Sequence, residues 1–215
     1  MGRVTRAGGT ALALLLAVAA VGCPGDGSQL LGEDDRPKIT GPVDDFEDGS
    51  VQGWVEGPPS PNPPSNIPDG GPDGAGDNYL ENISTGGFGP GGLLVMFNQD
   101  QWTGDYVTTG ITRIEAMMAN FGASDLFMRI ALEGNPFERY GSTVAQNLPA
   151  DGQWYALGFD LDDASLTEVS GGASLQDVLS NVGTLRILSA ERAPSWTGDG
   201  VVANLGVDDI RGVGE

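Results

Sequence analysis

No histidine occurs among the 215 residues, and cysteine occurs once, at position 23. The first absence removes Ser-His-Asp and Cys-His nucleophile systems, the HExxH zinc site and any imidazole proton shuttle. The second removes an internal disulfide and any CxxC metal cluster. Basic residues are scarce too, 10 against 30 acidic ones, for a net charge of -20. They are scattered along the chain, which argues against a nucleic-acid partner, because phosphate contacts need Lys and Arg presented together. Long apolar runs are lacking: the stretch from Ala11 to Gly22 holds 12 residues, against the roughly 20 that span a bilayer.

That short run has a different use. Arg3 and Arg6 precede it and small residues close it, the pattern of an export signal over residues 1–22. Cys23 follows Ala20-Val21-Gly22 directly, as in a bacterial lipobox, although the first lipobox position is Ala rather than the usual Leu. Cys23 is therefore expected to be the lipidation site, the lipid being the only membrane contact; an ordinary secretory signal with a chance cysteine is the alternative. The expected location is the bacterial cell envelope, or the medium if the lipobox is unused. The exported chain is strongly acidic, which keeps it soluble, repels anionic lipid head groups and polyanions, and favours divalent cations.

Residues 23–41 mix Gly with charge and show no sustained periodicity, so they are expected to be a tether. The stretch 57–76 carries five prolines between positions 58 and 64 and is expected to be a long loop, neither strand nor helix. Between 42 and 212 the dominant signal has period two. Leu126, Met128, Ile130 and Leu132 fall on one face with Arg129 on the other, and the runs 110–118, 154–161, 92–97, 184–188 and 205–210 behave alike. Such runs, separated by Gly, Asn, Asp and Pro, predict an all-β domain, a jelly-roll-like antiparallel β-sandwich with one short helix. That helix starts at Ser174, has Asp177 in the capping-box position, and carries Leu175, Val178, Leu179 and Val182 on one face.

Two sets of residues bear on chemistry. Asp44-Asp-Phe-Glu-Asp-Gly49 opens the domain and Val207-Asp-Asp-Ile210 closes it. If the first and last strands are neighbours, these acids converge, and calcium takes six to eight such oxygens; solvated turn residues are the plain alternative. A carboxylate-pair glycosidase is a third reading, but with 30 acids in the chain a pair means little. The tetrapeptide Trp-Thr-Gly-Asp occurs at 102–105 and again at 196–199. Exposed on loops, Trp102 and Trp196, with Tyr106 next to the first copy, would be ligand-binding aromatics; buried, they would be lids over the core. Trp54 and Trp154 read as core. The sequon Asn82-Ile-Ser84 fits a surface loop.

Phe46-Glu-Asp-Gly49 followed by Gly53-Trp54 resembles the opening strand of galactose-binding-like β-sandwich modules, the group that includes many carbohydrate-binding modules. The segments 89–98, 102–106, 110–111, 120–122, 185–188 and 205–210 resemble exported bacterial proteins with a laminin-B-like domain, often associated with a PEP-CTERM sorting tail. The resemblance implies a non-catalytic extracellular binding or adhesion module, with polysaccharide or a surface protein as partner. It also implies a structural calcium at Asp45, Glu47, Asp208 and Asp209. A hydrophobic sorting helix is not found near Glu215, so the lipid on Cys23 is the expected anchor.

Overall fold

The computed structural model describes Gly2 and residues 38–214; the export signal and Cys23 lie outside the described residues. In chain order the elements are β1 (Lys38–Asp44), β2 (Ser65–Ile67), β3 (Tyr79–Thr85), β4 (Val95–Asn98), α1 (Tyr106–Thr109), β5 (Arg113–Asn120), β6 (Leu126–Glu133), β7 (Arg139–Ser142), β8 (Gln146–Leu148), β9 (Trp154–Asp160), β10 (Leu166–Ser170), α2 (Leu175–Leu179), β11 (Thr184–Ser189) and β12 (Val202–Gly214). The first sheet has the order β2-β3-β12-β5-β9, with β1 also pairing β12; the second has β10-β7-β6-β11-β4, with β8 also pairing β6. All pairings are antiparallel. The protein is an all-β jelly-roll sandwich.

Alternation places the core. On β6, Leu126, Met128, Ile130 and Leu132 are buried against Ile114, Ala116 and Met118 of β5, Leu157 and Phe159 of β9, and Leu205 and Val207 of β12. α2 closes this core with Leu175, Val178 and Leu179, and its capping box is complete: Asp177 N–H donates to Ser174 Oγ while Ser174 N–H donates to the Asp177 carboxylate. Each such large apolar side chain contributes about 1.5–3 kcal/mol on burial.

Three local expectations are corrected. Strand β1 begins at Lys38, inside the expected tether, because Lys38 and Ile39 pair with Gly214 and Val213. Strand β2 lies inside the proline-rich loop: Ser65–Ile67 are free of proline and pair with Tyr79–Glu81. Asn82 sits in β3, fully buried with Ser84, rather than on a surface loop. Polar residues at inward positions hide the alternation of that strand from the sequence.

Candidate functional site

The structure sends Trp102 and Tyr106 inward. Trp102 is fully buried and Tyr106 is 2 % exposed, so neither is available to a ligand. The cause is Asp44, itself buried at the end of β1: its Oδ2 accepts the indole N–H groups of Trp54 at 2.7 Å and Trp102 at 2.6 Å. Gln101 Nε2 donates to both carboxylate oxygens, and Tyr106 Oη donates to the Trp102 carbonyl. Burial pushes the Asp44 carboxyl above its ordinary range, and these three donors oppose the shift. Trp154, expected in the core, instead packs edge-on with Tyr79 and Phe121 on the outer face of the first sheet, above Gly206.

Trp196 alone of the three candidate aromatics reaches the surface, on a loop (190–200) that straps the outer face of the second sheet. Arg129 of β6 pins the start of the strap, its Nε donating to the Ala190 carbonyl at 2.7 Å and its Nη2 to Glu191. Asp199 closes it, accepting from Glu191 N–H at 2.8 Å and donating from its own N–H to the Ser189 carbonyl at 2.7 Å. The Trp196 ring packs on Ala131 and Leu188, and Gly141 of β7 lets the Ser195 backbone approach the sheet. Arg186 of β11 and Arg139 of β7, on the strands flanking β6, place their guanidinium carbons 3.8 and 4.4 Å from the indole centre. Contacts of this kind are worth about 0.5–2 kcal/mol each.

On one side of the strap lies a cavity of about 550 Å³ lined by Asp125, Phe127, Ser189, Glu191, Arg192 and Asp199 among others. Carboxylates and a guanidinium beside a half-buried phenyl ring are the groups that accept from and donate to hydroxyls while covering an apolar ring face. Sequence reasoning missed this set. Phe127 and Arg129 stand at the outward positions of an alternating strand, but nothing local announced that a loop 60 residues later would fold over them.

The acidic ends converge as expected from strand pairing, since Asp44 lies opposite Ile210. Asp208 is 2 % exposed. Burial pushes its carboxyl up to about 7; the Asp209 N–H opposes this, and the charges of Asp209, Asp77 and Glu47 add to it. Burial likewise raises Asp209, with Arg211 opposing and Asp73, Asp77 and Asp45 adding. Glu47 accepts from Asn78 N–H at 2.7 Å, and Asp45 accepts from Gln52 Nε2 and Glu47 N–H. The loop 69–78 thus brings Asp73 and Asp77, unforeseen from the sequence, to Asp45, Glu47, Asp208 and Asp209. Among the described residues no group of three or more His, Cys, Asp or Glu is arranged so that it could hold a metal ion.

No protein-family model matches the chain, and no curated protein matches it. Solved structures do. An exo-beta-agarase superposes with a TM-score of 0.55 over 78 % of this chain at 12 % identity; the match spans only 24 % of the agarase. The module CtCBM11 superposes with a TM-score of 0.52 at 14 % identity, over 86 % of this chain and 99 % of its own. A family 11 carbohydrate-binding module of a Clostridium thermocellum cellulosomal cellulase gives 0.50 at 16 % identity, over 84 % and 95 %. At these identities the shared property is the β-sandwich fold.

Proposed function

We propose that this domain is a non-catalytic carbohydrate-binding module, displayed on the bacterial surface by a lipid on Cys23. The observation that carries the reading is the 550 Å³ cavity beside the Trp196 strap. It combines hydroxyl-pairing side chains with the phenyl ring of Phe127, in a sandwich whose near-full-length structural neighbours include carbohydrate-binding modules. Retention of the protein on immobilised polysaccharides tests it. Phe127→Ala is expected to weaken retention about tenfold, or roughly 1.4 kcal/mol, without changing the melting temperature by more than a few degrees; unchanged retention would contradict this placement of the site. The anchor is tested by mass spectrometry of protein extracted from membranes, where a free thiol at Cys23 would contradict it.

A structural calcium belongs to the same proposal. Asp45, Glu47, Asp208 and Asp209, with Asp73 and Asp77 beside them, are hard oxygen donors of the kind calcium takes. Burial, with the charges of Asp209, Asp77 and Glu47 adding to it, pushes the Asp208 carboxyl up to about 7, and a bound cation would relieve that repulsion. A bound calcium would neutralise the cluster. The chain's own contribution is to hold the β1–β2 turn, the 69–78 loop and the β12 bulge together at one point.

A further inference from the structure

From position 86 to 92 the chain reads Gly-Gly-Phe-Gly-Pro-Gly-Gly, so this part of the β3–β4 connection carries one large side chain, a phenyl ring. Phe88 is fully exposed, more so than any other large apolar side chain among the described residues. A single exposed apolar side chain is ordinary on a protein surface, and two further observations set this one apart. The first is that the loop is closed on itself, although a glycine-rich segment is flexible by composition. Gly87 N–H donates to the Gly92 carbonyl at 2.8 Å, Gly92 N–H to the Gly89 carbonyl at 3.0 Å, Thr85 N–H to the Gly91 carbonyl at 2.8 Å, and Ser84 Oγ to the Gly92 carbonyl at 2.9 Å. A β-carbon on Gly92 would lie 2.9 Å from the Phe88 backbone, so the two arms of the loop touch. The second is that the loop is continuous with the wall of the cavity beside the strap. Leu94 N–H donates to the Asp199 carbonyl at 3.0 Å, and Ser189 N–H donates to the Leu94 carbonyl at 3.1 Å; Ser189 and Asp199 both line the cavity. Gly200, between the lining residues Asp199 and Val201, packs on the loop so closely that a β-carbon there would lie 2.7 Å from the Gly87 carbonyl oxygen.

We propose that Phe88 forms a second subsite outside the cavity, where its ring covers the apolar face of a further sugar unit as the polysaccharide leaves the cavity past Val201. The inference rests on the carbohydrate-binding reading above and extends its site from one cavity to a run of sugar units, so the ligand class becomes an oligomer or polymer rather than a single sugar. Phe88 and Val201 are chain neighbours of the touching pair Gly87 and Gly200, which sets the ring at the rim of the cavity. An aromatic ring offers a large apolar face with only two rotatable bonds, and a loop already closed by hydrogen bonds loses little freedom when a ligand arrives. The net charge of -20 argues against the other occupant that suits an exposed phenyl ring, an anionic lipid surface.

The test measures retention of the purified protein on immobilised mixed-linked glucan, agarose and polygalacturonate, followed by titration with oligosaccharides of increasing length, from disaccharide to hexasaccharide, cut from the polymer that retains it. The expected result is that Phe88→Ala weakens binding of the polymer and the hexasaccharide about tenfold and leaves the disaccharide unaffected, while Phe88→Trp restores the length dependence. Phe127→Ala, by contrast, is expected to weaken every length. Melting curves of the Phe88 variants are expected to match that of the unmodified protein, because the ring packs on nothing. Equal affinity of Phe88→Ala and the unmodified protein for the hexasaccharide would overturn the subsite and leave the carbohydrate-binding reading standing. Equal weakening at every length would overturn the placement of the ring outside the cavity. Phe88-dependent sedimentation of the unacylated protein with phosphatidylglycerol vesicles, with polymer retention unchanged, would assign the ring to a lipid surface and overturn the subsite. Retention of the unmodified protein on none of the three polymers would overturn both readings.

Discussion

Two buried acids, Asp44 and Glu56, illustrate how differently a carboxylate can be accommodated. Asp44 is matched by two indole N–H groups and a Gln amide, and leaving such donors unmet costs about 1–3 kcal/mol each. This network is why Trp102 lies in the core. No sequence pattern could reveal it, because the donor at 102 and the acceptor at 44 meet only through the fold. Glu56 is less well served: it is 6 % exposed, Ser60 Oγ donates to one oxygen at 2.6 Å, and the other oxygen has no partner. Burial raises its carboxyl pKa above the ordinary value, with the Ser60 hydrogen bond opposing. A raised folded pKa means that the folded state binds more protons than the unfolded one in the window above the ordinary carboxylate value, so stability falls as pH rises through that window. Glu56→Gln is therefore expected to gain stability relative to the unmodified protein as pH rises from about 4 to 7, and the difference should vanish at the acid end. Urea unfolding at several pH values measures it, and a difference independent of pH would contradict the assignment.

Among the elements, the two copies of Trp-Thr-Gly-Asp show how little an identical tetrapeptide fixes. In the first, Gly104 adopts φ +125 in open space, Trp102 is buried, and Asp105 caps α1 by accepting from Thr108 N–H. In the second, Gly198 is pressed against the Leu94 carbonyl, Trp196 lies on the sheet surface, and Asp199 closes the strap. A methyl group at Gly198 would collide with backbone that cannot swing aside, whereas at Gly104 it meets only backbone strain. Gly198→Ala is thus expected to detach the strap and weaken polysaccharide retention as well as stability; a variant with unchanged thermal melting and retention would show that the strap does not depend on this approach. The long alternating strands β5, β6, β9 and β11 and helix α2 were legible because their inward positions are mostly apolar, Asn120 at the end of β5 being a buried polar exception. The short strands β2, β7 and β8 were not, having three or four residues each, and neither was β3, with Asn82 and Ser84 at inward positions. Helix α1 is a single turn, shorter than any periodicity can register.

At the scale of the molecule, the closure of the sandwich by its first and last strands was legible in part: the acidic motifs at the two ends marked segments that β1 and β12 bring together. The outer face of the second sheet was not, because its site is assembled from β6, β7, β11 and the loop that follows β11, segments that share no local signature. The same closure sets the expected effect of calcium. A cation bound only by the folded state raises stability in proportion to the logarithm of its concentration over Kd, about 2.7 kcal/mol at a hundredfold excess. Calcium is expected to raise the melting temperature above that in chelator by several degrees, with the increment lost in Asp208→Asn; no increment in the unmodified protein would contradict the calcium proposal while leaving the carbohydrate site untouched. The central claim, that the strapped face binds polysaccharide, is tested most directly by calorimetric titration of the purified protein with soluble oligosaccharides cut from neutral, carboxylated and sulfated polymers. Saturable heat with one of them, abolished or weakened about tenfold by Phe127→Ala, is the predicted result; no heat with any of them, from a protein shown to be folded, would contradict the account.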